Sequence, residues 1–570
     1  MTPAVTSAVE EAVAETDADL RRLAPAVHAR FADGLPRAAD TVARRLIAAL
    51  QRERLGGVRV DGDAIHTPLG PVAARRHGFG RAEPVGPLPA APLEVVAELA
   101  AVVGAGTDLT AELGSAVANL ALAAARRPTA DPFSTAAGPD ERAAAFERLA
   151  TEGHNLHPCA RTRLGWDTAD VLAHDLESGA TAVGFVGVRR DLLIGDDVGA
   201  RIGVPGTARY AAQPVHAWQL AHLRRTRPDL FAAGVLAACG APELAAVPTA
   251  ALRTVHVAGH GYLKLALDVL VTSTRRTISV ASSRNGPAIS ALLGDLLAGE
   301  PVLLLAETAG AACSAARRDV TAILREGLGP AGSAGSARPA GLACSAGPAG
   351  SAGRLAPGEI AVPAAALSVA LPGRAGSVVG ELLRSDDVSP PAFVAAYARL
   401  LLPPLLRLAT RHGIALEAHL QNCLPVFRGG RPVRMVLRDV AGLRVHRPRL
   451  AARGHRLRLW PGSVVGTDDL DVLRAKLGYT ALQAHLGELI RHLADTAGLD
   501  EDAAWRDVRA VVDDVYAELR ADPAIAADAA ADHAFWTAPT MPHKALVRMR
   551  LADDGDRYVP VANPLRIRVP

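Results

Sequence analysis

Aromatic residues are scarce in this chain, and its cysteines are few and scattered. Phe, Trp and Tyr make up 4% of 570 residues, too few to furnish the stacking platforms that hold single-stranded nucleic acid. A formal net charge of +3 gives no bulk attraction to polyanions or membrane surfaces. Cys159, Cys239, Cys313, Cys344 and Cys423 form no CxxC pair and no even framework, which argues against a cysteine zinc cage or disulfide scaffold and for a reducing cytoplasm. No apolar run reaches membrane-spanning length. The first twenty residues are acidic and helical in pattern and do not read as a signal peptide. The expectation is a cytoplasmic protein with neither nucleic acid nor membrane as partner.

What is present is ordinary globular material, 49% hydrophobic and 21% charged. The length exceeds one hydrophobic core and predicts several domains. Residues 1–150 read mainly as helices, with Leu20, Leu23 and Val27, then Val42, Leu46 and Leu50 at 3–4 residue spacing. From about 180 strand patterns take over, as in TAVGFVGVRRDLLIG. KLALDVLVTS (264–273) alternates as a single strand would, and PVLLLAETAG reads as a short buried strand. A Gly/Ala/Ser/Pro tract at 329–356 reads as a flexible insertion. RPVRMVLRDVAGLRV reads as two strands joined by a tight turn at Ala441-Gly442, and helices return from Asp468 to about Arg520. The predicted division is 1–150, 151–328, the insertion at 329–356, and 357–570.

Against this Ala-rich background, polar knots stand out. GHNLHPCARTRLG (153–165) sets His154, His157 and Cys159 beside Arg161 and Arg163. Its soft ligands suggest zinc, yet it has no carboxylate base at useful spacing and no HExxH helix. Its histidines would share a helix face that Pro158 ends, with the arginines following as anion binders. In VTSTRRT, Thr272 and Ser273 sit where a strand ends and a following helix would offer free N–H groups, with Arg276 one turn later. Eight residues of straight strand span roughly 26 Å, so Lys264 and Thr272 serve different parts of any site unless the strand bends. EAHLQN places Glu417 and Gln421 on one helix face, or Glu417, His419 and Gln421 on one strand face. Glu417 and Asp439 are plausible Mg²⁺ ligands, since that ion takes one or two carboxylates plus phosphate oxygens. PVHAWQ (214–219) and HKALVRMRL (543–551) complete the set.

GHNLHPCARTRLG, PVHAWQ, KLALDVLVTSTRRT, EAHLQN, LRDVAG and KALVRMRL, in that order, resemble the NRPS-independent siderophore (NIS) synthetases, the aerobactin-synthetase or IucA/IucC family. The resemblance runs from about residue 150 to the end of the sequence. It implies a multidomain α/β (α+β) fold shaped like a cupped hand: a helical thumb over 1–150, fingers over 151–328 and a palm over 357–570. It implies adenylation of a carboxylate of citrate or a related dicarboxylic acid with ATP and Mg²⁺, followed by attack of an amine, hydroxylamine or hydroxyl. By resemblance Arg253, Lys264, Thr272, Ser273, Arg276, His419, Gln421 and Asp439 belong to the ATP site. His154, His157, Arg161, Arg163 and Lys544 belong to the substrate carboxylate. His419, Arg276 and Lys544 act in catalysis, and Glu417 and Asp439 hold the metal. Homodimers are common in the family. Two positions depart from its pattern: Ala251 stands where a serine usually precedes Arg253 by two, and Ala484 precedes His485 in place of asparagine. They keep a second hypothesis in view, a catalytically weak homologue that binds nucleotide or carboxylate as a partner subunit.

Overall fold

The structure is a computed structural model describing residues 3–134, 137–329, 354–552 and 555–566. The tract expected to be a flexible insertion lies, from 330 to 353, outside the described residues.

Helices Pro3–Leu23, Pro25–Glu53, Pro92–Val102 and Thr107–Ala125 pack into one bundle. The periodic residues Val42, Leu46 and Leu50 are buried there, so the 3.6-residue stripe does become the core face. Between the second and third helices runs a four-stranded antiparallel meander, Arg59–Asp61, Ala64–Thr67, Gly70–His77 and Arg81–Pro84. The helical pattern of 1–150 gave no sign of it. Its strands are short and largely polar, so they lack the apolar alternation that marks a half-buried strand.

The middle of the chain builds an antiparallel sheet. Its order is Leu193–Gly195, Glu307–Cys313, Thr321–Arg325, Gly261–Leu265, Thr254–Val257, Leu244–Pro248, Thr181–Arg189 and Tyr210–His216, with Leu236–Ala238 also on Thr181–Arg189. The alternating stretch 264–273 is not one strand. It leaves the sheet at Leu265, and residues 267–276 double back, Leu267 N–H donating to Arg276 O and Arg276 N–H to Val269 O. Gln219 of PVHAWQ accepts the Asp268 N–H (2.8 Å) at the break, which gives that motif an architectural role. Leu270–Val271 then joins a small separate sheet with Thr274–Arg275 and Arg163–Leu164. Side-chain alternation reports which face is apolar; it does not report where backbone pairing stops.

The C-terminal part wraps around helix Pro390–His412. By length and composition that helix could cross a membrane, but two thirds of its apolar window is buried inside the protein. Ser389 caps its start, and Gly413 ends it at φ +65, where an added Cβ would meet the Arg449 Cβ at 2.8 Å. Val302–Leu304 runs parallel to Arg431–Leu437, which forms a hairpin with Cys423–Arg428. The turn expected at Ala441-Gly442 does not join two paired strands: Arg444–His446 pairs with Ile414–Ala415 in another sheet. EAHLQN is neither helix nor strand but the loop between Ile414–Ala415 and Cys423–Arg428.

Candidate active site

Lys264 projects from strand Gly261–Leu265 and is almost completely buried. Its Nζ lies 2.7 Å from Asp439 Oδ1 and 3.7 Å from Glu307 Oε1. On the adjacent strand Arg325 Nη2 reaches Glu307 at 3.2 Å and Asp439 at 3.4 Å. Two cations and two carboxylates thus neutralise one another. Burial opposes ionisation of Asp439, but Lys264, Arg325 and Arg253 outweigh it and hold its carboxyl well below the usual range.

Beside this balanced group stands a cation without an acid. Arg276 has no carboxylate within salt-bridge distance among the described residues, and its buried Nε has no acceptor. Burial, then the neighbouring charges of Arg253 and Arg163, push it down to about 9. Arg253 fixes its position by donating from Nη1 to the carbonyls of Arg276 (3.3 Å) and Thr277 (3.1 Å). Thr272 and Ser273, expected at the foot of a helix, instead form the turn between Leu270–Val271 and Thr274–Arg275; the next helix starts only at Val280. Leu252, Thr272 and Asp439 take φ values of 59, 63 and 68. Left-handed backbone at three non-glycine residues costs about 1–3 kcal/mol each, and all three bends lie next to or at the predicted ATP-site residues.

His419 lies in the EAHLQN loop, among Glu417, Lys476, Asp439 and Arg276. Glu417 pairs with Lys476 (2.7 Å). Burial raises the Glu417 carboxyl, yet Lys476 and His419 prevail and hold it at about 2. Gly442 permits that approach, since a Cβ there would sit 1.8 Å from Glu417 Oε2. Gln421 passes its carbonyl to Arg438 Nε (3.0 Å), and Arg438 is locked to Glu147 (2.8 Å), so Arg438 is structural. Lys544, at the end of strand Thr540–Lys544, pairs with Asp556 (2.8 Å). Arg550 is structural too, held by the buried Glu112. Both proposed metal ligands, Glu417 and Asp439, are therefore already engaged by lysines.

The three histidines predicted for the site share one device, which His216 also shows with the Trp218 N–H. His154 Nδ1 accepts the Leu156 N–H (3.2 Å), His157 Nδ1 the Cys159 N–H (3.0 Å), and His419 Nδ1 the Gln421 N–H (3.2 Å). Each ring is thereby set as the Nε2–H tautomer. Burial comes first in pushing all three toward the neutral form, His154 well down and His157 to about 3. They are neutral hydrogen-bond donors.

The 153–165 motif departs from expectation. Residues 151–162 turn repeatedly without forming a helix, and Gly153 (φ +71) packs so closely that a Cβ would meet Ala160 O at 2.8 Å. The histidines remain neighbours, ring centroids 6.2 Å apart. Arg161 and Arg163, expected as a substrate clamp, are instead 3% exposed and committed to acids. Arg161 Nη2 lies 3.0 Å from both Asp175 and Glu177, and Arg163 Nε lies 2.8 Å from Asp175. Burial works against Asp175, but the two arginines hold it at about 2. Glu177, fourteen to sixteen residues on from the arginines, follows no motif, so the sequence could not show that their charge was already answered. Cys159 is fully buried, with its thiol pushed up by burial. Glu307, Arg325, Lys476 and Asp556 were also missed; only the acid closing the apolar run PVLLLAE hinted at one of them.

Neutral buried histidines give a pH prediction. His157 and His216 are both pushed down to about 3, burial being the main cause, whereas the unfolded chain takes up their protons near pH 6.5. The unfolded state binds more protons between those values, so stability falls as pH drops from about 6.5 toward 3, by at most about 1.4 kcal/mol per unit for each. Urea denaturation at pH 7.5 and 5.5 should show a lower midpoint at 5.5. An unchanged midpoint in both wild type and His157→Gln contradicts it.

Similar proteins bear on what such a site is for. The fold is that of siderophore synthetase structures. AsbB, the petrobactin biosynthesis protein of Bacillus anthracis, superposes with TM-score 0.74 at 19% identity over 95% of this chain and 98% of its own. ATP-bound aerobactin synthetase IucA of Klebsiella pneumoniae gives 0.73 at 17% over 93% and 100%. The profile of the IucA / IucC family matches residues 142–367, and that of the ferric iron reductase FhuF-like transporter matches 391–559. The uncharacterized protein y4xN of Sinorhizobium fredii is 30% identical over 62% of this chain and 56% of its own length. The D-ornithine–citrate ligase of Staphylococcus aureus is 31% identical over 32% and 30%. The chain thus spans about half of the first of these relatives and under a third of the second. Residues 142–367 match the IucA / IucC family, and the fold over the chain is that of the aerobactin synthetase structures.

Proposed function

We propose that the protein is an ATP-dependent synthetase that adenylates a carboxylate of citrate or a related dicarboxylic acid and transfers the acyl group to an amine, hydroxylamine or hydroxyl. Arg276 carries this reading: a half-buried side chain whose Nε is buried without an acceptor and which has no acid partner among the described residues, where separate motifs converge. Such a cation demands an anion, and a polyphosphate drawn toward an organic carboxylate supplies one. The fold shared with an ATP-bound synthetase points the same way. Arg276 and Arg253 would face the phosphates, and the neutral Nε2–H groups of His154, His157 and His419 would donate to oxygens without adding charge. Lys544 would stand near the activated carboxylate after parting from Asp556. The Mg²⁺ part of the expectation fits less well, because a metal on Glu417 or Asp439 has to displace Lys476 or Lys264.

The reductase suggested by the C-terminal match has less behind it, since residues 391–559 contain one cysteine, Cys423, buried within strand Cys423–Arg428. The test is hydroxylamine trapping with ATP and a panel of acids (citrate, α-ketoglutarate, succinyl derivatives). Hydroxamate, AMP and pyrophosphate should appear in equal amounts. ADP in place of AMP would mean a kinase, and no nucleotide turnover would favour the weak homologue.

A further inference from the structure

A cleft of about 460 Å³ opens beside the cluster, between helix Pro25–Glu53, the 149–156 turns, residues 365–370 and the helical segment around 484–492. Arg37, Thr41, Arg44, Arg45, Ala48 and Arg52 line one wall. Their spacing puts them within one arc of the helix, so an arginine stripe faces the cavity. Across the whole lining there are seven arginines and three glutamates.

Several of those charges are answered. Arg45 pairs with Glu152 (2.6 Å) and Arg44 with Asp40 (2.7 Å), just outside the lining. Arg81 and Arg491 share Glu83 and Glu488. Arg52, half-buried Arg127 and, at the exposed mouth, Arg37 have no carboxylate within 4 Å among the described residues. Arg52 is 7% exposed and reaches only the Ala48 carbonyl (3.1 Å) and His543 Nε2 (3.4 Å). Arg127 donates to the Ala370 carbonyl from Nη2, while its buried Nε has no acceptor. A buried guanidinium without a counter-charge is costly unless a ligand supplies one. The cavity has the volume of a small-molecule site.

His154, His419 and Gln421 form the end of the cleft that meets the cluster, while Arg253, Lys264, Arg276 and Lys544 line none of it. The cleft therefore shares His154, His419 and Gln421 with the activation centre and extends from there to the arginine stripe, which leaves room for a second reactant beside the acyl group. We propose that this cleft binds the nucleophile, and that the nucleophile is an amine carrying at least one carboxylate; a bare polyamine, cationic throughout, is repelled. The inference rests on the ligase reading above. In the step it serves, the amine lone pair forms the C–N bond to the acyl carbon. The C–O bond to the phosphate breaks with its electron pair on AMP, and the amine proton leaves to water.

The test pairs amines that differ by one carboxylate: ornithine with putrescine, lysine with cadaverine, 2,3-diaminopropanoate with ethylenediamine. With the acid that gives hydroxamate, at least one amino acid should exceed its decarboxylated partner tenfold or more in kcat/KM. Arg37→Gln/Arg127→Gln should raise KM for that amino acid at least tenfold with kcat and the KM for ATP kept. Equal rates within every pair, including no rate above the amine-free blank, overturn the proposal, as does a double variant with unchanged amine KM. Wild type that forms no hydroxamate with any acid brings down the ligase reading itself and this proposal with it.

Discussion

Replacing Arg276 by alanine is expected to lower ATP-dependent hydroxamate formation by roughly 10²–10³-fold, the usual loss when one preorganised donor to developing charge is removed. The fold should survive. Arg276 is half-buried without an acid among the described residues, and desolvation, Arg253 and Arg163 all disfavour its charge, so its removal relieves an electrostatic cost. Thermal melting should therefore show an unchanged or slightly higher midpoint. Arg276→Lys keeps a charge but not the planar fork, and should recover only part of the rate. A variant that melts several degrees lower yet turns over normally would show that Arg276 is structural and deprive the proposed function of its main support.

Arg161→Ala should behave in the opposite way. The change strips Glu177 of its arginine and leaves Asp175 with Arg163 alone, both carboxylates being essentially buried. Breaking a buried pair by removing one partner costs about 3–5 kcal/mol, so the urea midpoint should drop sharply and activity should fall with folded fraction. The network is not fully satisfied, for Arg161 Nε and Glu177 Oε1 are buried without partners. Arg161→Met combined with Glu177→Gln, which removes charge from both sides, should regain much of the lost stability. A stable Arg161→Ala protein that fails only in activation would restore Arg161 to the substrate clamp inferred from its sequence.

These contrasting expectations concern two arginines that look alike in the chain. Each follows a polar motif, and neither has an acid within helical reach: Glu177 lies sixteen residues beyond Arg161 and comes beside it only through the turns of 165–178. The same difficulty applied to Lys264. Its motif placed it correctly in a strand, on the polar face, but Asp439 meets it from 175 residues away and Glu307 from another strand of the sheet. Backbone breaks were equally hidden. KLALDVLVTS alternates regularly, and the fold-back that takes Thr272 out of the sheet depends on Gln219 and Arg276.

The sequence by itself determined where the polar segments lie and in what order, because an Ala-rich chain makes them conspicuous. It also determined the helical stripes, since burial of a periodic apolar face is a local property. Only the tertiary structure decided which cations remain free to bind anions. A charge is free or spent according to what lies within about 4 Å of it in low dielectric, and residues distant in sequence fill that shell for Arg161, Arg163 and Lys264 but not for Arg276.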